Sequence, residues 1–180
     1  MTLDTQLFFA LNLLAGQSRL ADSSIVFFAA YLPYLIVVAL LVLVFFSDKS
    51  KREKWEMLVV TGIAGLLARF GAVEIIRFFY HRPRPFLTLH AHQLLSESSW
   101  SFPSGHATFF FALAMAVYLY NKKWGIGFFV AATIVAVSRV IAGVHYPSDI
   151  LGGALLGVAI AYGTHYLAHR FFIVKVVQKS

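Results

Sequence analysis

The chain has 180 residues, of which 59% are hydrophobic and only 13% are charged. Soluble domains carry about 25% charged residues, so the composition excludes an ordinary soluble protein and favours a membrane protein. Cysteine is absent, which excludes disulfide bonds and thiolate metal sites. The formal net charge of +7 would indicate a nucleic-acid partner in a soluble protein. In a membrane protein it must first be compared with the distribution of basic residues that membrane topology requires.

The first twenty residues predict a helix that lies in the membrane interface. Apolar residues recur at helical spacing from Leu3 to Leu14, with Asp4, Gln6 and Asn12 between them. The segment is too short and too polar for an ordinary span, and it lacks the basic start of a signal peptide. A shallow, partly inserted span is the alternative interpretation.

Five later apolar runs predict membrane-spanning helices, although the third and fourth must extend into their flanks to reach about 20 residues. Together with the N-terminal helix they predict an all-α fold, a polytopic transmembrane helical bundle of six helices. It forms one membrane domain over residues 1–180, with the five spans inside 24–171. Approximate limits of the runs are 24–46, 55–79, 106–120, 125–140 and 150–168.

Basic residues predict how these spans are oriented. With five spans, three basic segments fall on one side of the membrane, and they hold nine of the fifteen Lys and Arg residues and all seven lysines. The positive-inside rule places this side, with the C-terminus, in the cytoplasm. The net charge therefore needs no nucleic-acid partner. The three segments are 47–54, 121–123 and 170–179.

The opposite side of the membrane has no lysine, yet arginines gather there against the topological preference. Their concentration indicates a local anion, because the guanidinium fork matches carboxylate and phosphate oxygens. The four arginines at this side are Arg77, Arg82, Arg84 and Arg139.

Two further charges, Arg69 and Glu74, lie at membrane depth within the second span. Such groups usually face the bundle interior and pair with one another. Glu74 also precedes Arg77 by about one turn, so we expect it to help position that guanidinium. A buried ion pair that only fixes the packing is the alternative.

The loop from Tyr80 to Pro103 begins with His81-Arg82-Pro83-Arg84-Pro85, whose prolines hold the arginines on a stiff, extended path. Its later residues His90, His92 and Glu97 allow a metal cluster. However, the two-residue spacing of the histidines fits neither a helical ligand pair nor a zinc signature. A solvated loop rim that touches a lipid headgroup is the favoured interpretation.

Ser104, Gly105 and His106 come directly before the third apolar run. Ser104 is a suitable N-cap, and Gly105 lets the backbone approach a ligand closely. The free N–H groups of a helix start are a natural phosphate seat, over which His106 would lean. An ordinary capped helix with an interfacial histidine is the alternative.

His145 and Asp149 are four residues apart at the start of the fifth run. On a helix this spacing lets the carboxylate accept from one imidazole nitrogen, which leaves the other as a base or nucleophile. Taken alone, the pair is equally consistent with an acidic residue at a helix N-terminus.

These features meet at one membrane face if the topology is correct. Arginines and helix amides there would neutralise a tetrahedral anion during transfer, while one histidine attacks and the other protonates the leaving oxygen. No paired acidic ligands for magnesium are visible, so the arginines are expected to replace a metal.

Three motifs resemble the signatures of the type 2 phosphatidic acid phosphatase family, whose anion site the vanadium haloperoxidases share. Arg77 stands where the family usually has lysine. The motifs are Arg77-x6-Arg84-Pro85, Pro103-Ser104-Gly105-His106 and Ser138-Arg139-x5-His145-x3-Asp149.

The resemblance implies a helical bundle without metal or cofactor, in which His145 forms a phosphohistidine, Asp149 orients it, and His106 is the general acid and then the base. The implied phosphate ligands are Arg77, Arg84, Ser104, Gly105 and Arg139, with Glu74, Arg82 and His81 in a second shell or at the rim.

The compact length and the turn His145-Tyr146-Pro147-Ser148-Asp149 are most similar to small bacterial undecaprenyl-diphosphate phosphatases of the bacitracin-resistance type. The resemblance implies a bacterial plasma-membrane enzyme with an extracytoplasmic site, whose partners are membrane lipids and a lipid phosphate or diphosphate substrate. Alternatives within the family act on phosphatidylglycerophosphate, phosphatidic acid or lipid A. A non-catalytic anion transporter or lipid-binding scaffold is the remote alternative.

Overall fold

A computed structural model of the protein describes residues 1–173, so Lys175 and Lys179 of the last basic segment lie outside the described residues. Across residues 1–173 all regular secondary structure is helical. The helices are α1 Leu3–Asn12, α2 Arg19–Phe45, α3 Lys51–Phe79, the single turn α4 Pro85–Thr88, α5 Gly105–Tyr120, α6 Lys122–Ile141 and α7 Pro147–Phe171.

Four of these helices, α2, α3, α6 and α7, are long and apolar enough to cross a membrane, and α5 is a shorter apolar helix. The predicted all-helical, multi-pass architecture is confirmed at this level. Helices α3 and α6 begin earlier than their apolar runs because polar residues cap them. Ser50 Oγ accepts from the Glu53 amide at 3.3 Å, and Asn121 Oδ1 accepts from the Trp124 amide at 3.1 Å.

Three of the long helices contain a wide π-helical segment, which the sequence patterns do not predict. The segments are Phe27–Tyr31 in α2, Leu67–Ala72 in α3 and Ala168–Ile173 at the end of α7. A π segment shifts the register of side chains and loosens backbone carbonyls, and such segments are frequent at functional sites. Here the segment in α2 places the Ala29 carbonyl against Arg139, and the segment in α3 carries Arg69.

Helix α5 lies between α3, α6 and α7, and its contact with α7 is the closest in the bundle. A Cβ added to Gly153 would lie 2.8 Å from the Ser104 carbonyl oxygen, and one added to Gly157 would overlap the Thr108 carbonyl. Glycines therefore let the two backbones touch, as expected for helices that associate in lipid. This contact fixes the start of α5 beside the start of α7.

Helix α1 is anchored to the protein through one apolar and one polar residue of its sequence pattern, Phe8 and Asn12. Phe8 is fully buried and its ring centroid lies 5.7 Å from that of Tyr146. The side-chain Nδ2 of Asn12 donates to the carbonyls of His92 and Ile141, each at 2.8 Å, and its Oδ1 accepts from the His92 N–H at 2.9 Å. Phe8 and Asn12 therefore hold α1 against the rest of the protein.

We expect Gly157→Ala to destabilise the fold by about 1–3 kcal/mol, because the added methyl group has to push α5 and α7 apart. The matched control is Gly163→Ala in the same helix, where a Cβ meets nothing within 4 Å. This control should be neutral or slightly stabilising. Thermal unfolding in detergent measures both variants, and equal melting temperatures would contradict the close α5–α7 contact.

Candidate active site

Four chain segments converge where α3 and α6 end and α5 and α7 begin. The Ser104 amide donates to the Asp149 carbonyl at 3.1 Å, which joins the start of α5 to the start of α7. Arg84 Nη1 donates to the Val144 carbonyl at 2.7 Å and Arg77 Nη2 to the Pro103 carbonyl at 3.0 Å. The three predicted motifs therefore meet at one end of the bundle.

His145 and Asp149 form the buried pair that their spacing predicts. Asp149 Oδ2 lies 3.3 Å from His145 Nδ1 and also accepts from the Tyr146 amide at 2.8 Å and from Ser101 Oγ at 2.5 Å. With its carboxylate partner at Nδ1, the imidazole carries its proton there when neutral, which leaves the lone pair on Nε2. Nε2 accepts a hydrogen bond from Arg84 Nη1 at 3.3 Å.

Arg82 holds the other oxygen of this carboxylate. Its Nη1 donates to Asp149 Oδ1 at 2.6 Å, its Nη2 donates to Asp4 Oδ2 at 2.6 Å, and its guanidinium carbon lies 4.0 Å from the centre of the Tyr146 ring. Asp4 also accepts from the Ser148 amide at 2.9 Å. Arg82 thus ties the N-terminal helix to the Asp149 carboxylate.

Sequence reasoning missed Asp4 and Ser101 as members of this network. An acidic residue in the first turn of a surface helix is common because it favours the helix dipole, so nothing local distinguishes Asp4. Ser101 belongs to the stretch before α5 that was noted only for Ser104, Gly105 and His106. Its contact with Asp149 spans 48 residues of sequence.

Three arginines of the motifs are buried, each against backbone carbonyls. Arg84 Nε donates to the Ser99 carbonyl at 2.6 Å, and burial lowers the pKa of Arg84 to about 10, which still leaves it charged at neutral pH. Arg139 Nη1 donates to the Ala29 carbonyl at 3.3 Å. Arg77 Nη1 donates to Ser99 Oγ at 3.2 Å. These contacts fix the directions of all three guanidinium groups.

Glu97 is the carboxylate that faces this arginine cluster. It accepts from Arg139 Nη2, and its other oxygen lies 3.6 Å from Arg84 Nη2. Although burial raises the pKa of Glu97, the charges of Arg139 and Arg84 outweigh it and hold this pKa below its usual range. His92 instead packs its ring over Gly16, so Glu97 and His92 do not form one metal cluster.

His106 lies in the first turn of α5, within electrostatic range of Arg139, Arg84 and His145. Ser104 caps the helix by accepting from the Ala107 amide at 3.4 Å, and as the first groups of a helix the Gly105 and His106 amides have no intrahelical acceptor. Because the Ser104 amide bonds to the Asp149 carbonyl, this helix N-terminus and His106 lie at the same end of the bundle as His145.

Glu74 and His81 lie at the edge of the site. Glu74 Oε1 accepts from Arg69 Nη1 at 2.5 Å and lies 3.6 Å from Arg77 Nη1. The exposed ring of His81 lies against Trp100, with 4.8 Å between centroids. Neither side chain makes a hydrogen bond or ion pair with His145 or Asp149.

The environment of His145 makes its imidazole a weak base. Burial is the main cause that lowers its pKa to about 4, and the charges of Arg139 and Arg84 act in the same direction. The hydrogen bond to Asp149 opposes this shift without overcoming it. At neutral pH His145 is therefore uncharged, with an unshared electron pair on Nε2.

Comparison with known proteins agrees with this arrangement. Residues 53–173 match the PAP2 superfamily. The chain is 30% identical over 158 residues to the undecaprenyl-diphosphatase BcrC of Bacillus subtilis, covering 87% of this chain and 80% of the relative.

Two solved structures resemble the fold. The crystal structure of Aquifex aeolicus LpxE matches with a TM-score of 0.74 and 26% identity, over 92% of this chain and 96% of the other. A PAP2-type phosphatidylglycerolphosphate phosphatase from Bacillus subtilis matches with a TM-score of 0.63 and 25% identity, over 94% and 86%.

Fold and site together define a multi-pass membrane hydrolase of the lipid-phosphatase class, as the sequence predicted. More particularly, the chain belongs to the PAP2 superfamily, the family of type 2 phosphatidic acid phosphatases that its three motifs resemble.

The pKa of His145 can be measured by NMR of histidine-labelled protein in detergent, with the signal assigned by its loss in His145→Gln. We expect a titration midpoint near pH 4. Because the Asp149 carboxylate favours the protonated ring, Asp149→Asn should move the midpoint further down. A midpoint at the ordinary value of about 6.5 or above would show that the site does not hold His145 neutral.

Proposed function

We propose that this protein hydrolyses undecaprenyl diphosphate to undecaprenyl phosphate through a phosphohistidine on His145. The observation that carries the proposal is the orientation of this imidazole. Its Nδ1 is held by Asp149, and its Nε2 points toward Arg84 at 3.3 Å. A neutral imidazole fixed in this way at the centre of several guanidinium groups is suited to attack phosphorus.

In the first step Nε2 of His145 forms a bond to the terminal phosphorus, and the bond from that phosphorus to the bridging oxygen breaks. His106 gives a proton to the leaving oxygen, so the lipid departs as its monophosphate. The negative charge of the bound phosphate favours the protonated form of His106 before this step. Asp149 stabilises the positive charge that develops on His145.

In the second step water replaces the histidine. His106, now neutral, accepts a proton from the water as its oxygen bonds to phosphorus, and the bond between phosphorus and Nε2 breaks. Inorganic phosphate is released and His145 returns to its neutral form. The same imidazole thus acts first as acid and then as base.

Charge on the transferring phosphate is neutralised by arginines and amides in this proposal. Arg84, Arg139 and Arg77 surround the phosphate, and the amides of Gly105 and His106 add the positive end of a helix. Transition states of phosphoryl transfer spread charge over the equatorial oxygens, which fixed donors stabilise without reorganisation. No metal ion is required for any step.

The topology that accompanies this function has five spans and an interfacial α1. The 16 residues of α5 extend about 24 Å, so its polar flanks complete the crossing. With the lysine-rich ends in the cytoplasm, the site faces the extracytoplasmic side, near the outer leaflet. An amphiphilic substrate there would present its diphosphate to the arginines and keep its tail in lipid.

The substrate assignment rests on the relative named an undecaprenyl-diphosphatase, which matches most of both chains. The fold also resembles that of a solved phosphatidylglycerolphosphate phosphatase, so a lipid monophosphate is the second candidate substrate. Phosphatidic acid and lipid A remain further alternatives of the same chemistry.

Purified protein in detergent should release phosphate from undecaprenyl diphosphate in the presence of a metal chelator. We expect His145→Ala to lose at least about a thousandfold in kcat, because the nucleophile is gone. His169→Ala, at the far end of α7, is the matched control and should retain activity. Full turnover by His145→Ala would show that His145 is not the nucleophile.

Anion transport across proteoliposomes without hydrolysis would instead favour the alternative in which the protein is an anion transporter.

Glu97 occupies guanidinium groups that the proposal assigns to phosphate, so the two anions compete. Removing its charge by Glu97→Gln should strengthen inhibition by inorganic phosphate by about five- to tenfold, equivalent to about 1 kcal/mol. Inhibition constants measured beside the control Asp48→Asn, an exposed acid outside the site, test this. Weaker phosphate inhibition in Glu97→Gln would mean that Glu97 positions the arginines rather than competing for them.

A further inference from the structure

Arg69 is a charged residue of the site region that the proposed phosphate ligands do not include. It lies in the π segment Leu67–Ala72 of α3, where the register shift turns its side chain toward the start of α5. Its Nε lies 2.7 Å from the position that a Cβ on Gly105 would occupy. The guanidinium therefore lies against the backbone of the first residue of α5, next to His106.

Arg69 also lines a groove that leads away from the histidines. The groove has a volume of about 390 Å³ between α2, α3 and α5. Its polar end consists of Arg69, Gly105 and His106, and apolar side chains form the remainder, among them Pro33, Leu66, Phe70 and Phe109. A cationic end and an apolar body match an amphiphile with an anionic head.

The contacts of Arg69 leave it able to bind a ligand. Its side chain is 28% exposed, and its ion-pair partner Glu74 is 50% exposed. Ion pairs of this exposure contribute at most about 1 kcal/mol, so an anionic ligand can share the guanidinium with Glu74. By contrast, Arg77, Arg84 and Arg139 are buried and are not among the residues that line the groove.

The leaving group distinguishes a diphosphate from a monophosphate substrate. In the proposed reaction His106 protonates the leaving oxygen, and His106 also lines the groove, so the groove offers a place for the leaving oxygen and the rest of the lipid. From a monophosphate the departing lipid is a neutral alcohol. From a diphosphate it keeps a charged phosphate, which needs a cation at that place.

We propose that Arg69 binds the phosphate that stays on the lipid and thereby determines specificity for lipid diphosphates over lipid monophosphates. The inference rests on the proposed function, in which His145 attacks the terminal phosphorus. Arg69 makes its contact to the leaving group as charge develops there, and the buried arginines hold the transferred phosphate.

The test compares two lipids with the same tail, farnesyl diphosphate and farnesyl phosphate, on wild-type protein and Arg69→Gln. A lost charge-assisted hydrogen bond should lower kcat/KM on the diphosphate by about ten- to a hundredfold. On the monophosphate the fall should stay below about threefold, since no second phosphate is present. Arg69→Lys should restore part of the difference because it retains the charge.

Two controls separate this role from a structural one. Arg52→Gln removes an arginine at the opposite end of the same helix and should change neither rate. Glu74→Gln breaks the ion pair while leaving Arg69 charged, so the diphosphate preference should remain. If Glu74→Gln abolishes the preference as Arg69→Gln does, or if Arg69→Gln lowers both rates equally, the inference is wrong.

A binding measurement keeps the inference separate from the reaction. In the His145→Ala background, the dissociation constants of farnesyl diphosphate and farnesyl phosphate are measured with and without Arg69→Gln. Loss of the preference for the diphosphate supports the role of Arg69 even if wild-type protein does not hydrolyse undecaprenyl diphosphate, a result that would refute the proposed function alone. An unchanged preference overturns the inference.

Discussion

The buried Asp149 carboxylate is the interaction on which the rest of the site depends. It accepts hydrogen bonds from His145, Ser101 and the Tyr146 amide on one oxygen and from Arg82 on the other. A fully buried carboxylate is tolerated only when its oxygens are satisfied, because its desolvation costs several kcal/mol. The stability of the fold therefore demands the same donors that orient the histidine. In this way one side chain couples the loop after α3, the stretch before α5 and the start of α7.

The distance between the two histidines is set by backbone contact. His106 begins α5 and His145 precedes α7, and Gly153 and Gly157 bring these two helices together. In lipid the association of helices depends on close packing, since apolar surface gains little by leaving an apolar solvent. Larger side chains at this interface would move the two helices apart and would move the two imidazoles apart with them. In-line transfer of a phosphoryl group tolerates little displacement of its reacting groups. The small residues thus serve geometry as well as assembly.

Features that depend on short sequence spacings can be predicted from the sequence, whereas contacts between distant segments cannot. The His145–Asp149 pair, the capped start of α5 and the apolar runs depend on spacings of a few residues. The structure contains the pair and the cap, and it has an apolar helix at each run, four of them long enough to span a membrane. The contact of Asp4 with Arg82 spans 78 residues and depends on how α1 docks, which no periodicity encodes. Glu97 was noted only as a metal or headgroup candidate, because its pairing with Arg139 requires the loop to fold back over α6. The π segments were likewise invisible, since they change hydrogen bonding without changing hydropathy.

Arg77, at the position where the family usually has lysine, fits its surroundings for a definite reason. Its Nη2 donates to the Pro103 carbonyl at 3.0 Å and its Nη1 to Ser99 Oγ at 3.2 Å, while Glu74 lies 3.6 Å from Nη1. A lysine presents a single ammonium and would have to choose among these acceptors, whereas the planar guanidinium reaches them together. Arginine also remains charged when it is buried, which a lysine does less readily. The arginine therefore keeps a cation at this position and adds a tie between the end of α3 and the segment that begins α5.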